Sequence, residues 1–227
     1  MKPSAPALLL CLLLTACASE PMHYYHLAAA DTPAPSSAST PLRTTPSTKR
    51  LPLVIEVHLP DYLNTANIAY QRSEAGMALA QNNRWAEAPE PAIARLLTTR
   101  LAQQMPETHW QSASTRTNER AMSVNIQLDQ FNGRYDGRAV IAGQWQLIDA
   151  KQTVLSTQAI HLEIAQHGDG YQALVQALNQ GVTQLATQIA TELRAQPRHF
   201  RAGGNVNAEK EAKAGTEKPT KFPPVQD

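Results

Sequence analysis

The strictest alternation in the chain is Met122, Val124, Ile126 and Leu128 against Ser123, Asn125, Gln127 and Asp129. A period of two, apolar on one side and polar on the other, predicts a strand of an antiparallel sheet with one buried face. Asn132-Gly133 and Asp136-Gly137 follow with turn chemistry. Ala139 to Ile148 then reads as a second strand, with Ile141, Trp145 and Leu147 on one side. After a turn over 149–152, Val154 to Ile164 reads as a third, and the three make a meander.

Upstream, Leu51 to Pro60 (LPLVIEVHLP) places Leu53, Ile55 and Val57 opposite Glu56 and His58, which is again strand patterning. Short strands are expected around Ile68-Ala69-Tyr70 and from Gly76 to Ala80. The period then changes. Ile93, Leu96, Leu97 and Leu101 recur at i, i+3, i+4 and i+8, so a helix should open at Pro91 and stop before Pro106. Gly168-Asp169-Gly170 breaks the chain ahead of a last helix of about 23 residues. Its stripe is Tyr171, Leu174, Val175, Leu178, Val182, Leu185, Ile189 and Leu193. That stripe can cover the sheet, and at about 35 Å the helix is long enough to serve a subunit contact as well. Gly181, in its middle, suggests a close backbone approach. The elements together predict an α+β fold: an antiparallel-dominated mixed sheet with two helices packed on one face.

Both ends of the chain read differently. Lys2 precedes the apolar run Ala7 to Leu14, which is too short to span a bilayer and suits a signal peptide over residues 1–16. It ends in Leu14-Thr15-Ala16-Cys17, which resembles a bacterial lipobox, with Cys17 as the lipidated first residue of the mature chain. Ala18 stands where an inner-membrane retention signal would place Asp, so the expected location is the outer membrane, lipid-anchored and facing the periplasm. Residues 17–27 then form the lipidated N-terminus and a first strand. Residues 28–50 are rich in Pro, Ser, Thr and Ala and read as an extended tether. Residues 196–227 read as a low-complexity tail, leaving 51–195 as the folded domain.

Composition narrows the function classes. The net charge is +1, but the segment 17–196 holds 13 basic and 15 acidic residues. A mildly acidic folded part argues against nucleic acid as a partner. Two cysteines, one of them leaving with the signal peptide, exclude a disulfide framework and a four-ligand zinc site. The seven histidines show no metal-ligand spacing, and no nucleophile-elbow or phosphate-loop pattern occurs. Asp129, Asp136 and Asp149 fall on a polar strand face or in turns, and His161 and Glu163 share a solvated strand face. The chain therefore reads as a non-enzyme without cofactor or metal.

Several short segments carry a resemblance. They are Tyr24-Tyr25-His26-Leu27 after the lipobox, Val57-His58-Leu59-Pro60-Asp61-Tyr62-Leu63, Asn67-Ile68-Ala69-Tyr70, and Asn83-Arg84-Trp85-Ala86-Glu87 ahead of the first helix. In this order, followed by the meander and the long helix, they resemble the PqiC-type lipoproteins, also called ABC-type transport auxiliary lipoproteins. The resemblance spans residues 22–195. It departs after Trp85-Ala86-Glu87, where Ala88-Pro89 replace the family's usual Pro-Leu.

The resemblance implies a non-enzymatic periplasmic subunit of a lipid-transport system supporting membrane integrity. It would dock an MCE-domain tunnel protein at the outer membrane, as a ring-shaped homo-oligomer, with phospholipid as the cargo. A monomeric lipid-binding chaperone and an envelope hydrolase are the competing classes. The resemblance also marks Tyr24, Tyr25, Leu27, Pro60, Tyr62, Leu63, Arg84 and Trp85 as candidates for a partner or subunit interface. Two placements are open for them. The first three can be an edge strand, Pro60 to Leu63 a rigid turn and Trp85 a core plug. Alternatively, Tyr62, Leu63 and Trp85 lie on a loop surface as contact anchors.

Overall fold

The computed structural model of the protein describes residues 20–28, 52–113 and 121–195. Among the described residues, eight strands and two helices follow in the order β1 (His23–Tyr25), β2 (Leu53–His58), β3 (Asn67–Gln71), β4 (Met77–Trp85), α1 (Pro89–Gln104), β5 (Trp110–Ser112), β6 (Met122–Arg134), β7 (Arg138–Ile148), β8 (Val154–Ala165) and α2 (Gly170–Ala195). All strands belong to one mixed sheet in which β1-β4-β3-β6-β2-β5 are neighbours in turn and β7 joins β6 to β8. The meander β6-β7-β8 forms two antiparallel ladders, the longest pairings of the sheet. The β1–β4, β2–β5, β2–β6 and β3–β6 pairings are parallel.

β6 is the hub. One edge runs along β7, while the other pairs β2 as far as Gln127 and then β3 at Gly133. Between these two partners the register shifts at the β-bulge between Leu128 and Gln130. A bulge adds one residue and so reverses which parity faces the core. Val124, Ile126 and Leu128 point inward before it and Phe131 after it, all matched to the odd-numbered residues of β7. Gly143 sits opposite the bulge at φ +151°, and a Cβ there would lie 2.1 Å from the Gln127 carbonyl oxygen. Only glycine fits this approach. Asn132-Gly133, expected as a turn, lies within β6; the turn falls at Asp136-Gly137, where Gly137 has positive φ.

Both helices lie on the core side. In α1 the stripe Ile93, Leu96, Leu97 and Leu101 is buried, and α1 packs on β2 and β5. It begins at Pro89, two residues earlier than expected, because Pro89 and Pro91 both fit a first turn whose N–H groups have no intrahelical acceptor. The α2 stripe is buried along its length except for half-buried Tyr171, and it covers β7 and β8. The covering role thus consumes the stripe. A Cβ on Gly181 would meet the δ-methyls of Ile141 and Ile164 at 2.6 and 2.8 Å, which is the close approach the sequence suggested. The two helices meet where Gln104 donates to Thr187 Oγ1 at 3.1 Å and Arg194 donates to the Gln104 carbonyl at 2.6 Å.

Candidate interaction surface

Cys17, the signal peptide, most of the 28–50 tether and the 196–227 tail lie outside the described residues. The other marked residues converge on one corner of the sheet. β1 pairs with the end of β4 in parallel, placing Tyr24 opposite Arg84 and Tyr25 opposite Trp85. The ladder continues past the strand, since Ala86 N–H donates to the Tyr25 carbonyl at 2.7 Å. Tyr25 is half-buried: its hydroxyl donates to Asn83 Oδ1 at 3.1 Å, and its ring lies 6.4 Å from that of Tyr171 on α2. Tyr24 points to the helix-free face and is 63% exposed. Leu27 turns back into the core.

The segment after β2 closes the same corner. The Pro60 carbonyl accepts from the N–H groups of Leu63 and Asn64 at 2.9 and 3.0 Å, so this is a hydrogen-bonded turn. Leu59 N–H donates to Glu90 Oε1 at 2.7 Å, which ties the turn to the start of α1. Tyr62 lies outside, and its hydroxyl donates to the carbonyl of the bulge residue Asp129 at 2.7 Å. Burial first, and the Asp129 carboxylate second, push the Tyr62 phenol above its ordinary value, so it stays protonated.

Leu63 and Trp85 are buried, and this corrects the placement that put them on a loop surface. Trp85 ends β4, its N–H donates to the Ala66 carbonyl at 2.7 Å, and its ring lies 6.2 Å from Phe131. Large apolar side chains next to a helix start are drawn inward because burial of each is worth about 2–3 kcal/mol. Glu87, next in the motif, pairs with Arg95 through two hydrogen bonds, which lower its carboxyl below the ordinary range. The Trp-Ala-Glu triplet is therefore a junction: plug, ladder donor and helix brace.

The exposed apolar residues of this corner were not evident from the sequence. Met77 and Leu79 are 44% and 45% exposed, while Ala80 is buried. Pairing of Leu79 with Ala69 and of Ala78 with Tyr70 sets the faces, because Tyr70 packs edge-on against Tyr171 of α2. Met77 and Leu79 therefore look away from the helices. With Tyr62 and Ala78 they line a shallow apolar depression of about 190 Å³. The run Met-Ala-Leu-Ala carries no polar partner residue by which a reader could choose the outward face.

Elsewhere, at the β6–β7 turn, Arg134 binds Glu163 with both nitrogens at 2.6 and 3.0 Å and Asp136 at 2.6 Å, while Arg138 reaches Glu163 at 2.8 Å. Glu163, expected as a plain solvated side chain, is thus the centre of an ion cluster; hydrogen bonds from Arg134 and Arg138 lower its carboxyl to about 2. Asp149 accepts from the N–H groups of Lys151 and Thr153, as a turn aspartate should. Among the described residues no group of His, Cys, Asp and Glu is placed to hold a metal ion.

A parallel edge strand, a Trp-Ala-Glu junction, a meander and a covering helix define the class of auxiliary lipoprotein domain that the motifs pointed to. Residues 25–190 match the family model of the ABC-type transport auxiliary lipoprotein component, and the chain belongs to that family. It is 31% identical over 167 residues to the intermembrane transport lipoprotein PqiC of Escherichia coli K12, covering 73% of this chain and 83% of that one. The Shigella flexneri protein of the same name matches equally. A crystal structure of an uncharacterized protein, 31% identical, superposes with a TM-score of 0.62 over 77% of this chain and 99% of that one. A Xanthomonas campestris structure, 14% identical, has the same fold at a TM-score of 0.52, covering 76% and 99% of the two chains.

Proposed function

We propose that this chain is the outer-membrane-anchored lipoprotein subunit of an MCE-type intermembrane lipid transport system. The observation that carries the reading is the 31% identity to an intermembrane transport lipoprotein over 167 residues. In this reading Cys17 carries the lipid and holds the domain on the periplasmic side of the outer membrane. The domain docks the far end of an MCE-domain tunnel, as a ring of identical copies, and phospholipid is the cargo that passes. No step in this reading asks for bond chemistry.

Of the eight marked residues, Tyr24 and Tyr62 are exposed and best placed to make contacts outside the chain, with Tyr25, Pro60 and Arg84 partly buried. Leu27, Leu63 and Trp85 support the corner from inside.

Fractionation and capture test the reading. Cys17→Ala should release the protein from the outer-membrane fraction. The purified lipoprotein should retain an MCE-domain protein and show a ring in native mass spectrometry. A monomer that neither changes location on Cys17→Ala nor retains an MCE protein would overturn it.

A further inference from the structure

The chain is pinned to the sheet almost from its lipidated residue. Asn82 donates to Glu20 Oε2 at 2.9 Å, so the chain is tied to the sheet at residue 20. Glu20 lies three residue steps from Cys17, and a fully extended chain covers at most about 3.6 Å for each. Asn82, on β4, is therefore held within about 20 Å of the acylated residue, and the bilayer that takes the acyl chains lies near this edge of the sheet. Lipidation of Cys17 is the part of this argument that rests on the proposed function.

The surface at that edge is unusual. Seven large apolar side chains are exposed among the described residues, and five of them are Met22, Tyr24, Tyr62, Met77 and Leu79. Of the other two, Val154 lies on β8 at the opposite edge, and Tyr135 lies at the β6–β7 turn just past the β3–β6 pairing. Tyr24 shares the helix-free face with Met77 and Leu79. Leu79 lies three residues from Asn82 along β4, about 10 Å at the strand rise. Clustered exposed apolar groups mark an interaction surface, and tyrosine is favoured where an apolar body meets water and headgroups. Charges of both signs flank the strip (Glu20, Arg72, Glu74, Arg84), so the attraction rests on apolar contact.

We propose that the β1–β4 edge is a bilayer-contact surface: Tyr24, Met22, Leu79, Met77 and Tyr62 seat in the headgroup region and fix the tilt of the domain. The lipid then acts as a short hinge pin, and the apolar strip stops the domain from swinging about it. A tunnel that arrives from the other membrane meets the opposite side of the domain.

The test uses the lipidated protein in vesicles of phosphatidylethanolamine and phosphatidylglycerol, with single nitroxide labels at Tyr24→Cys, Leu79→Cys or Val154→Cys. Labels at 24 and 79 should collide several-fold more with oxygen relative to a water-soluble nickel chelate than the label at 154. Equal ratios at the three positions, in protein that floats with the vesicles, overturn the proposal and leave the anchor intact. Spin–spin broadening of labels at 24 or 79 would assign the strip to contact between copies and overturn it too. Failure of the unlabelled protein to float overturns both the anchor and this surface.

Discussion

The Tyr62 hydroxyl donates a 2.7 Å hydrogen bond to the carbonyl of Asp129, 67 residues away. Asp129 is the bulge residue of β6, at the point where its outer edge passes from β2 to β3. A loop side chain thus supplies a donor beside the irregular step of the ladder. Tyr62→Phe should lower stability by about 1 kcal/mol, the usual net value of one hydrogen bond, with the sheet otherwise intact. Urea unfolding checks it, and a change below a few tenths would assign the bond no energetic role.

Trp85 plugs the core between β4 and Phe131. Trp85→Ala should cost about 3–5 kcal/mol, enough to leave little folded protein. Trp85→Phe should retain a folded domain with a lowered melting temperature. Intact stability in the alanine variant would mean that this side chain is not core.

Two glycines respond in opposite ways to the same change. A Cβ at Gly143 meets backbone atoms, at a positive φ, so Gly143→Ala should lose about 1–3 kcal/mol from backbone conformation and more from the clash. At Gly181 only the ends of Ile141 and Ile164 must move, and alanine returns about 1 kcal/mol of helix propensity. Gly181→Ala should therefore stay close to the parent. Parallel thermal melts give the order, and the reverse order would refute the packing described.

Acid sensitivity should trace to the β6–β7 turn. The Glu163 carboxyl is lowered from 4.5 to about 2 by its hydrogen bonds from Arg134 and Arg138. A carboxyl with a lowered folded value contributes stability that is fully present above about pH 4.5. That contribution fades as the pH falls toward 2. Asp136 and Asp149 are lowered as well, and their contribution fades only below about pH 3.8. Melting temperature should drop between pH 4.5 and 2, and Glu163→Gln should make that drop shallower while lowering stability modestly at pH 7. An unchanged slope in the variant would exclude Glu163 as a contributor.

Much of this molecule is readable locally. The alternation of 122–128, the three-strand meander, the two helical stripes and the close approach at Gly181 all follow from residue spacing. The motif corner was readable as a set of segments, but its geometry was not. Nothing in Leu63 or Trp85 states that they face inward, because the burying partners, Phe131 among them, come from strands far along the chain. Asn132-Gly133 is a good turn sequence, yet β7 pairs with it as strand, and eleven register pairs outweigh one local preference.

By itself the sequence determined the period of each element, the fold class and the family, since these depend on neighbours within a few residues. Tertiary structure decided which side of each element is inside. The bulge at Asp129 reverses the inward parity of β6, and pairing with Ala69 turns Met77 and Leu79 outward while Ala80 is buried. Periodicity reports only relative facing within an element. The absolute choice is made by whichever distant strand or helix removes one face from water, and here that choice left Met77 and Leu79 exposed.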